Sequence, residues 1–287
     1  MVFRTEHPIP SYPFKIGYTD DLFFIGSCFS DHIGSFFQKH QFHTVSNPFG
    51  TLFNPKSIYE NLYRVVQQKS LSKEFIYYFN NQYISFSHQG KIAGENELSY
   101  LEYLHSIDIH TYNYLKSAHF LFITFGTAYC YTFMERDIIV ANCHKIPNSR
   151  FVKWRLTIKE IVSDYQRLFD SLFLLNPALK IIFTVSPVRH LSDGFHENQL
   201  SKSILHLAID QLCKTNQVYY FPSYELIMDD LRDYRFYARD LCHPGENSIE
   251  YVEEFIVKSL MSAETLDQLK KVEKDIKRKN HKPIQKK

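Results

Sequence analysis

The sequence predicts an α/β protein built on a mainly parallel, five-stranded sheet. Short apolar runs of strand length alternate along the chain with amphipathic segments of helical length. Connections of this kind join neighbouring strands in parallel and cover both faces of the sheet with helices. The chain has 287 residues, 44% of them hydrophobic, which is enough to build one large core. We therefore expect one main domain.

Five apolar runs are predicted as the strands of the sheet. Each is short and is followed by a glycine, a proline or a polar turn, as is typical of strands that are buried on both faces. Gly26 ends the first run, Asn47-Pro48 follows the second and Pro187 follows the fourth. The five runs are residues 22–26, 42–46, 119–125, 180–186 and 217–221.

The segments between these runs are predicted as helices, because their apolar residues recur at three- and four-residue spacing. The first helix continues to about Lys39, and Ser30 is its expected N-cap. The second begins at Asn54-Pro55, since proline suits the first turn of a helix, and runs to about Gln68. The later helices cover about residues 95–108, 156–175, 198–215, 224–231 and 246–260.

Two hairpins interrupt this alternation and are predicted as insertions. Aromatic strands within residues 75–87 flank Asn80-Asn81, a plausible hairpin turn. A second pair of strands lies within residues 129–142 and flanks the polar residues 134–137. We expect both hairpins to decorate the central sheet.

The two ends of the chain differ in composition from the segment between them. Residues 1–20 contain three prolines and show little periodicity, so we expect an extended N-terminal arm. Residues 263–287 are rich in lysine and are expected to form a basic, flexible C-terminal tail. The domain itself is predicted to cover residues 21–262.

Charge and cysteine content argue against several classes of protein. A net charge of +2 gives no reason to expect nucleic-acid binding, and no apolar run has the length of a signal peptide core or a membrane span. The five cysteines are scattered and form no CxxC pair, so we expect free thiols and no structural zinc site. We expect a cytoplasmic protein, and its oligomeric state stays open.

A candidate nucleophile follows the first strand. In Gly26-Ser27-Cys28-Phe29, both Ser27 and Cys28 lie at the carboxyl end of a buried strand and at the start of a helix. Open α/β sheets bind their ligands at this edge, and a helix N-terminus favours negative charge. An ordinary strand-to-helix turn with two small residues is the alternative.

A candidate general base lies near the other end of the chain. Asp240 and His243 are three residues apart in a segment that precedes the last predicted helix. A carboxylate at this spacing can orient the imidazole of a general base. The alternative is an Asp-His turn that caps the following helix.

Further motifs accompany these two segments in a characteristic order. They are residues 47–50, 125–129, 141–147, 184–189, 198–203 and 240–244. Together the motifs resemble the GSCFA family, within the SGNH/GDSL hydrolase superfamily. The family's own motif is matched by Gly26-Ser27-Cys28-Phe29, with Ser30 in place of the final alanine. The resemblance covers about residues 20–260. It implies a flavodoxin-like three-layer α/β/α sandwich that acts as a hydrolase or acyltransferase without a cofactor.

The resemblance also implies roles for individual residues. The superfamily's first block is Gly-Asp-Ser, and register against Gly26 aligns Cys28 with the catalytic serine. Cys28 is then the candidate nucleophile and Ser27 the competing one, with His243 as general base and Asp240 as its partner. A thiol near a helix start and an imidazolium is expected to ionise readily.

The third block departs from the superfamily's pattern. Its usual form is Gly-x-Asn-Asp, whose asparagine helps to bind the oxyanion, but this chain has Gly126-Thr127-Ala128-Tyr129. Loss of one such donor typically costs a factor of about 10²–10³ in rate, so weak hydrolysis is a real alternative. The remaining candidates for oxyanion or substrate binding are Gly50, Asn47, Gly126, Thr127, Asn142 and Arg189.

Two functions from different classes follow. The first is an SGNH-like esterase or acyltransferase that acts on a small-molecule or carbohydrate ester. The second is a catalytically weak or inactive module that binds a carbohydrate or an acylated ligand. A third and weaker option is a metal site formed by Cys28, Cys242 and His243.

Overall fold

The computed structural model describes residues 5–280. The first four residues of the predicted arm and the last seven of the predicted tail lie outside the described residues. The helices and strands are β1 (Asp21–Gly26), α1 (Cys28–Lys39), β2 (His43–Ser46), α2 (Pro55–Val66), β3 (Ile76–Phe79), β4 (Gln82–Ser85), β5 (Ala93–Gly94), α3 (Glu97–Ser117), β6 (Phe120–Phe125), β7 (Tyr129–Phe133), β8 (Ile138–Val140), β9 (Phe151–Arg155), α4 (Ile158–Leu175), β10 (Lys180–Val185), α5 (Phe195–Leu212), β11 (Val218–Tyr220), α6 (Ser223–Glu225), α7 (Glu246–Leu260) and α8 (Ala263–Asn280). A π-helical segment, Leu226–Leu231, continues α6.

The central sheet has five parallel strands in the order β11-β10-β6-β1-β2. All five predicted strands and their parallel arrangement are therefore confirmed. From β1 the chain moves outward to β2, and then returns to the other side of β1 to form β6, β10 and β11. The order of strands reverses between β1 and β6, and such switch points are where open α/β sheets bind ligands.

Each face of the sheet carries its own core, because successive strand residues point to opposite faces. Phe23 and Ile25 of β1 pack on one face against α2, α4 and α5. Leu22 and Phe24 pack on the other face against α1, α7 and α8. These two cores make the molecule a three-layer α/β/α sandwich, as the sequence predicts.

Both predicted hairpins are present, and each gains a third strand. β3 and β4 are joined at Asn80 and Asn81, which adopt φ of 49° and 61°, as a type I′ turn requires. β5 pairs with β4, and β9 pairs with β7. The two small antiparallel sheets share one aromatic core that includes Phe86, Phe133 and Phe151. They thus form a single packed unit beside the central sheet.

Helix α1 begins earlier than the sequence predicts. Its N-cap is Ser27, whose Oγ accepts a hydrogen bond from the Phe29 N–H at 3.3 Å. The expected cap, Ser30, lies inside the helix, and its hydroxyl donates to Thr124 Oγ1 at 2.7 Å. Gly26 makes this abrupt start possible, because its φ of 140° suits glycine and a Cβ there would lie 2.2 Å from the Thr124 carbonyl oxygen.

Both chain ends pack against the domain where they are described. The fully buried Ile16 donates its N–H to Leu260 O at 2.7 Å and accepts from Thr265 Oγ1 at 3.0 Å. The segment expected to be a basic tail contains α8, and its Leu269 is buried in the core. Apolar residues recurring among the lysines give this helix an inward face. No helix within residues 5–280 is long and apolar enough to cross a membrane.

Candidate active site

A cavity of about 510 Å³ opens at the carboxyl edge of the central sheet. Its lining comes from the turns that follow β1, β6 and β10, from the segment before α2, from the sheet that contains β7 and from the segment before α7. It is lined by Ser27, Cys28, Phe53, Asn54, Thr127, Tyr129, Tyr131, Ala141, Ser186, Val188, Arg189, His190, Leu191, Ser192, Asp193, Asp240, Cys242 and His243. The cavity therefore lies at the switch point of the sheet.

Cys28 is the first residue of α1 and is partly exposed to the cavity. Burial raises the pKa of its thiol, and the charge of Asp31 raises it further. The backbone N–H groups of Cys28 and Phe29 and the charge of Lys202 act in the opposite direction. Burial outweighs the helix start in the free protein, so the thiol is harder to ionise than the sequence leads us to expect.

Ser27 also borders the cavity but is held differently. It is only 1% exposed, and its hydroxyl oxygen caps α1. A Cβ added to Gly126 would lie 3.3 Å from the Ser27 Cβ, so the strand-end turns are tightly packed here. The Ser27 hydroxyl thus has a structural partner.

Asp240 and His243 form a close pair at the cavity rim. His243 Nδ1 lies 2.5 Å from Asp240 Oδ2, while Oδ1 accepts the backbone N–H groups of Cys242 and His243 at 2.9 and 3.0 Å. These hydrogen bonds hold the pKa of Asp240 well below its usual range, and the bond from the His243 backbone N–H makes the largest contribution. An ionised Asp240 keeps the proton on Nδ1 and leaves Nε2 free to accept one. Cys28, Asp240 and His243 line the same cavity.

Arg189 supports the segment that carries this pair. Its Nη2 donates to Leu241 O at 2.6 Å, and its backbone N–H donates to Cys242 O at 3.3 Å. The guanidinium also lies 4.4 Å from the centre of the Tyr237 ring. Arg189 lines the cavity, but these contacts tie it to the 237–243 segment as well.

Two candidate oxyanion residues lie outside the cavity lining. The Asn47 side chain accepts from the Gly26 N–H at 2.8 Å and donates to Asp31 Oδ1 at 2.7 Å. The Gly50 N–H donates to Asn47 O at 2.8 Å within a tight turn. Both residues brace the turn after β1, and their polar groups are already bonded.

The other candidates separate in the same way. Asn142 lines a different cavity, next to the β3–β4 hairpin. Thr127 lines the site, and its Oγ1 lies 3.1 Å from Ser201 Oγ. The N–H groups of Gly126 and Thr127 both donate to Phe53 O, at 2.8 and 2.9 Å. The structure therefore brings Thr127 to the cavity lining and leaves Gly126 and Asn142 out of it.

Comparison with known proteins supplies the family. The family model described as GSCFA family matches residues 21–255. The chain belongs to the GSCFA family. No curated protein matches it significantly.

Several solved structures resemble this GSCFA protein. A provisionally assigned platelet activating factor from Streptococcus pneumoniae is 10% identical, with 83% of each chain covered and a TM-score of 0.43. A catalytic mutant of an acetylxylan esterase from Geobacillus stearothermophilus is 13% identical, with 85% of this chain and 95% of that chain covered and a TM-score of 0.40. A carbohydrate esterase of family 3 from Talaromyces cellulolyticus is 10% identical, with 55% and 65% covered and a TM-score of 0.30.

Asn54 is a cavity residue that the sequence marks only as part of a helix start. It is the N-cap of α2, and its Oδ1 accepts from the Ser57 N–H at 2.7 Å. Because the Ser57 N–H needs an acceptor, this hydrogen bond identifies the oxygen of the Asn54 amide, and the other end is therefore the Nδ2 donor. Within residues 5–280 its Nδ2 has no hydrogen-bond partner, although the residue is only 4% exposed and lines the cavity.

Lys202 is a second residue whose role the sequence does not predict. It is 2% exposed and extends from α5 to the ends of two strands. Its position in the sequence, three residues before the core residue Leu205, was a usable signal, because a lysine on the apolar face of a helix is uncommon. Within the described chain, no group of three or more His, Cys, Asp or Glu side chains is arranged to hold a metal ion. The suggested Cys28–Cys242–His243 metal site therefore gains no support.

Proposed function

We propose that this GSCFA protein hydrolyses or transfers an ester-linked acyl group through Cys28, His243 and Asp240. One observation carries the proposal: the bonded Asp240–His243 pair opens onto the same cavity as the thiol at the start of α1. A nucleophile, a base and a group that orients the base are the parts that acyl transfer needs. The location at the switch point of the sheet supports the same conclusion.

The reaction would proceed in two halves. Cys28 Sγ attacks the ester carbonyl while His243 Nε2 takes the thiol proton. The tetrahedral intermediate collapses to a thioester, and the alcohol leaves with the proton from His243. Water, or an acceptor alcohol, then gives a proton to His243 and attacks the thioester, and the returning proton restores the thiol. Asp240 stabilises the imidazolium that forms in each half.

Oxyanion binding would come from donors other than the missing asparagine. The Cys28 N–H is the first in α1, where helix N–H groups lack partners within the helix. The unbonded Nδ2 of Asn54 is the only side-chain amide among the described residues that line the cavity. We assign these two groups to the oxyanion, with Asn54 standing in for the residue that Ala128 replaces.

The cavity also bears on the class of substrate. Its volume of about 510 Å³ is in the range of small-ligand sites. Tyr129 and Tyr131 form one wall, and Lys153 lies 4.3 Å from the centre of the Tyr129 ring. Aromatic rings beside polar groups suit a sugar or a comparably polar alcohol. We propose a small-molecule or carbohydrate O-acyl ester as the substrate.

A screen of ester substrates with trapping of the acyl-enzyme tests this proposal. We expect an acyl adduct on Cys28, mapped by mass spectrometry, and loss of turnover in Cys28→Ala. Cys242→Ala is the matched control, because Cys242 lines the same cavity but lies outside the proposed mechanism. An adduct on Ser27, or turnover that survives Cys28→Ala, would reject Cys28 as the nucleophile.

A binding function is the second candidate, and two observations favour it. Ala128 replaces the usual oxyanion residue, and burial raises the pKa of the Cys28 thiol. Both features weaken hydrolysis while leaving the cavity intact. Calorimetric titration with acylated sugars separates the candidates, since binding without turnover in the unmodified protein would favour this one.

A further inference from the structure

Lys202 is a buried basic residue that the proposed reaction does not use. It is 2% exposed, and its Nζ donates to Gly126 O and Ser186 O, both at 2.6 Å. These carbonyls follow β6 and β10, at the edge of the sheet where the cavity opens. Ser186 itself lines the cavity. The amine therefore binds two strand-end carbonyls at the edge of the sheet where the cavity opens, one of them from a residue that lines the cavity.

This amine has no acidic partner among the described residues. None of the ion pairs within residues 5–280 includes Lys202, and its two hydrogen bonds go to neutral carbonyl groups. A buried ammonium without a counter-ion is strongly unfavourable. Burial accordingly lowers the pKa of Lys202 to about 7, and the charge of Cys28 is what opposes that shift.

The coupling between the two groups is reciprocal. The charge of Lys202 lowers the pKa of the Cys28 thiol, just as a Cys28 thiolate raises the pKa of Lys202. The Lys202 ammonium and the Cys28 thiolate therefore stabilise each other's charged form. Two groups coupled in this way titrate as a pair.

We propose that Lys202 is a positioning residue for the thiol, its buried ammonium group stabilising the Cys28 thiolate. The inference rests on the proposed function in taking Cys28 as the nucleophile. When Cys28 gives up its proton to His243 or to solvent, Lys202 in its protonated form supplies the balancing charge. The same hydrogen bonds hold the Gly126 and Ser186 carbonyls in place at the rim of the strands.

Other titratable groups face this pair from the surrounding elements. Asp31 on α1 raises the pKa of Cys28. The charge of Lys202 lowers the pKa of two histidines. These are His190, in the segment after β10, and His206, on α5. Burial lowers the pKa of His190 to about 4, so it is neutral where Lys202 titrates. Burial also lowers the pKa of His206.

Charged groups face His190 in turn. Asp193 raises the pKa of His190, while His243 and Lys153 lower it. His243 is both a member of the proposed mechanism and a titratable group near the same cavity. The experiment must therefore separate Lys202 from His243.

The test is the pH dependence of Cys28 alkylation by iodoacetamide, measured for that residue by mass spectrometry. The variants are Lys202→Met, Lys202→Gln and His243→Ala, and Lys159→Met is a control at an exposed lysine. Because Lys202 is protonated only below about pH 7, we expect both Lys202 variants to lower the Cys28 alkylation rate about tenfold at and below neutral pH, with little change at alkaline pH. Lys159→Met should match the unmodified protein.

The two Lys202 variants distinguish charge from structure. Both remove the positive charge, but glutamine keeps an N–H donor for one of the carbonyls. Equal slowing in both variants supports the charge, whereas a normal profile in Lys202→Gln would assign Lys202 a purely structural role and overturn the proposal. Thermal unfolding of each variant reports whether it folds.

His243→Ala keeps the proposal testable even if neither Lys202 variant folds. With His243 gone, the Cys28 profile should still show a second inflection near the pKa of Lys202, at about 7. A single titration in that variant would overturn the proposal. Because alkylation needs no substrate, a shifted profile without any ester turnover would contradict the proposed function and leave the Lys202–Cys28 pairing intact.

Discussion

At the scale of single residues, the candidate site depends on a thiol whose burial opposes its ionisation. Burial raises the pKa of Cys130, Cys143 and Cys213 to about 12, 11 and 12, and only at Cys130 does a nearby charge, that of Lys56, oppose the shift. Cys28 differs, because two backbone N–H groups and Lys202 stabilise its thiolate. Reactivity among these four thiols should therefore favour Cys28.

Site-resolved labelling measures this difference. We expect iodoacetamide to modify Cys28 at least about tenfold faster than Cys130, Cys143 or Cys213, and His243→Ala to slow the modification of Cys28. Labelling is best done in Cys242→Ala, so that a second thiol in the cavity does not compete. Faster labelling of any of the other three, or a rate indifferent to His243, contradicts the assignment.

Asn54 allows a second prediction, because its two functions can be separated. Serine is also a good N-cap, so Asn54→Ser keeps a cap oxygen for α2 but removes the amide donor. We expect kcat to fall by a factor of about 10²–10³ with little change in Tm. The matched control is Asn96→Ser, which alters the exposed N-cap of α3 at a residue outside the cavity lining. Equal activity in the two variants would remove Asn54 from the oxyanion site.

Sequence and structure differ most over such polar contacts. Cys28, Asp240 and His243 stand out in the sequence because they follow strand or loop motifs that position them locally. The contacts of Asn54 and Lys202 depend on how distant segments approach each other, which no local pattern records. Conversely, Gly50 and Asn47 look like oxyanion donors in a motif, but their polar groups are used to brace a turn.

At the scale of elements, the turn between β1 and α1 positions the thiol. Gly26 has a φ of 140°, and its Cα faces the Thr124 carbonyl of β6. The chain therefore leaves the strand and enters the helix within one residue, which brings Cys28 to the edge of the sheet. A longer turn would carry the thiol away from the switch point.

Substitution of Gly26 tests this turn. Gly26→Ala combines a strained φ with a Cβ 2.2 Å from Thr124 O, so we expect a loss of about 3–5 kcal/mol in the free energy of unfolding. Gly194→Ala is the matched control: Gly194 also has a positive φ, 89°, but a Cβ there meets nothing within 4 Å. That variant should lose only about 1–2 kcal/mol. Urea denaturation compares the two, and equal losses would mean that close packing at Gly26 is unimportant.

The strands of the central sheet are predictable because they are buried on both faces and therefore form unbroken apolar runs. β5 and β9 are not predicted from the sequence, because they do not form unbroken apolar runs. β5 has two residues, and β9 contains exposed Val152 and Lys153 together with half-buried Trp154, so neither shows a clear period. Their pairing with β4 and β7 is set by tertiary contacts.

At the scale of the whole molecule, the described segments on either side of residues 21–262 contact the core. Ile16 is fully buried and bonds to Leu260, and Thr265 of α8 bonds back to Ile16. Leu269 of α8 packs into the same core as β1 and α1. We propose that the described part of the arm and α8 close one end of the helical layer formed by α1 and α7.

Removal of residues 263–287 tests this boundary. The deletion exposes the surface that Leu269 covers and removes the hydrogen bond from Thr265 to Ile16 O, so we expect a loss of about 2 kcal/mol. For a chain of this size, that corresponds to a fall in Tm of about 4–8 °C. A shorter deletion, of residues 281–287, is the control, so that the difference between the two deletions measures the contribution of α8. If both deletions leave Tm unchanged, α8 adds nothing to stability and the domain ends near residue 262. If only the longer one lowers it, the lysine-rich segment belongs to the fold because of the apolar face between its lysines.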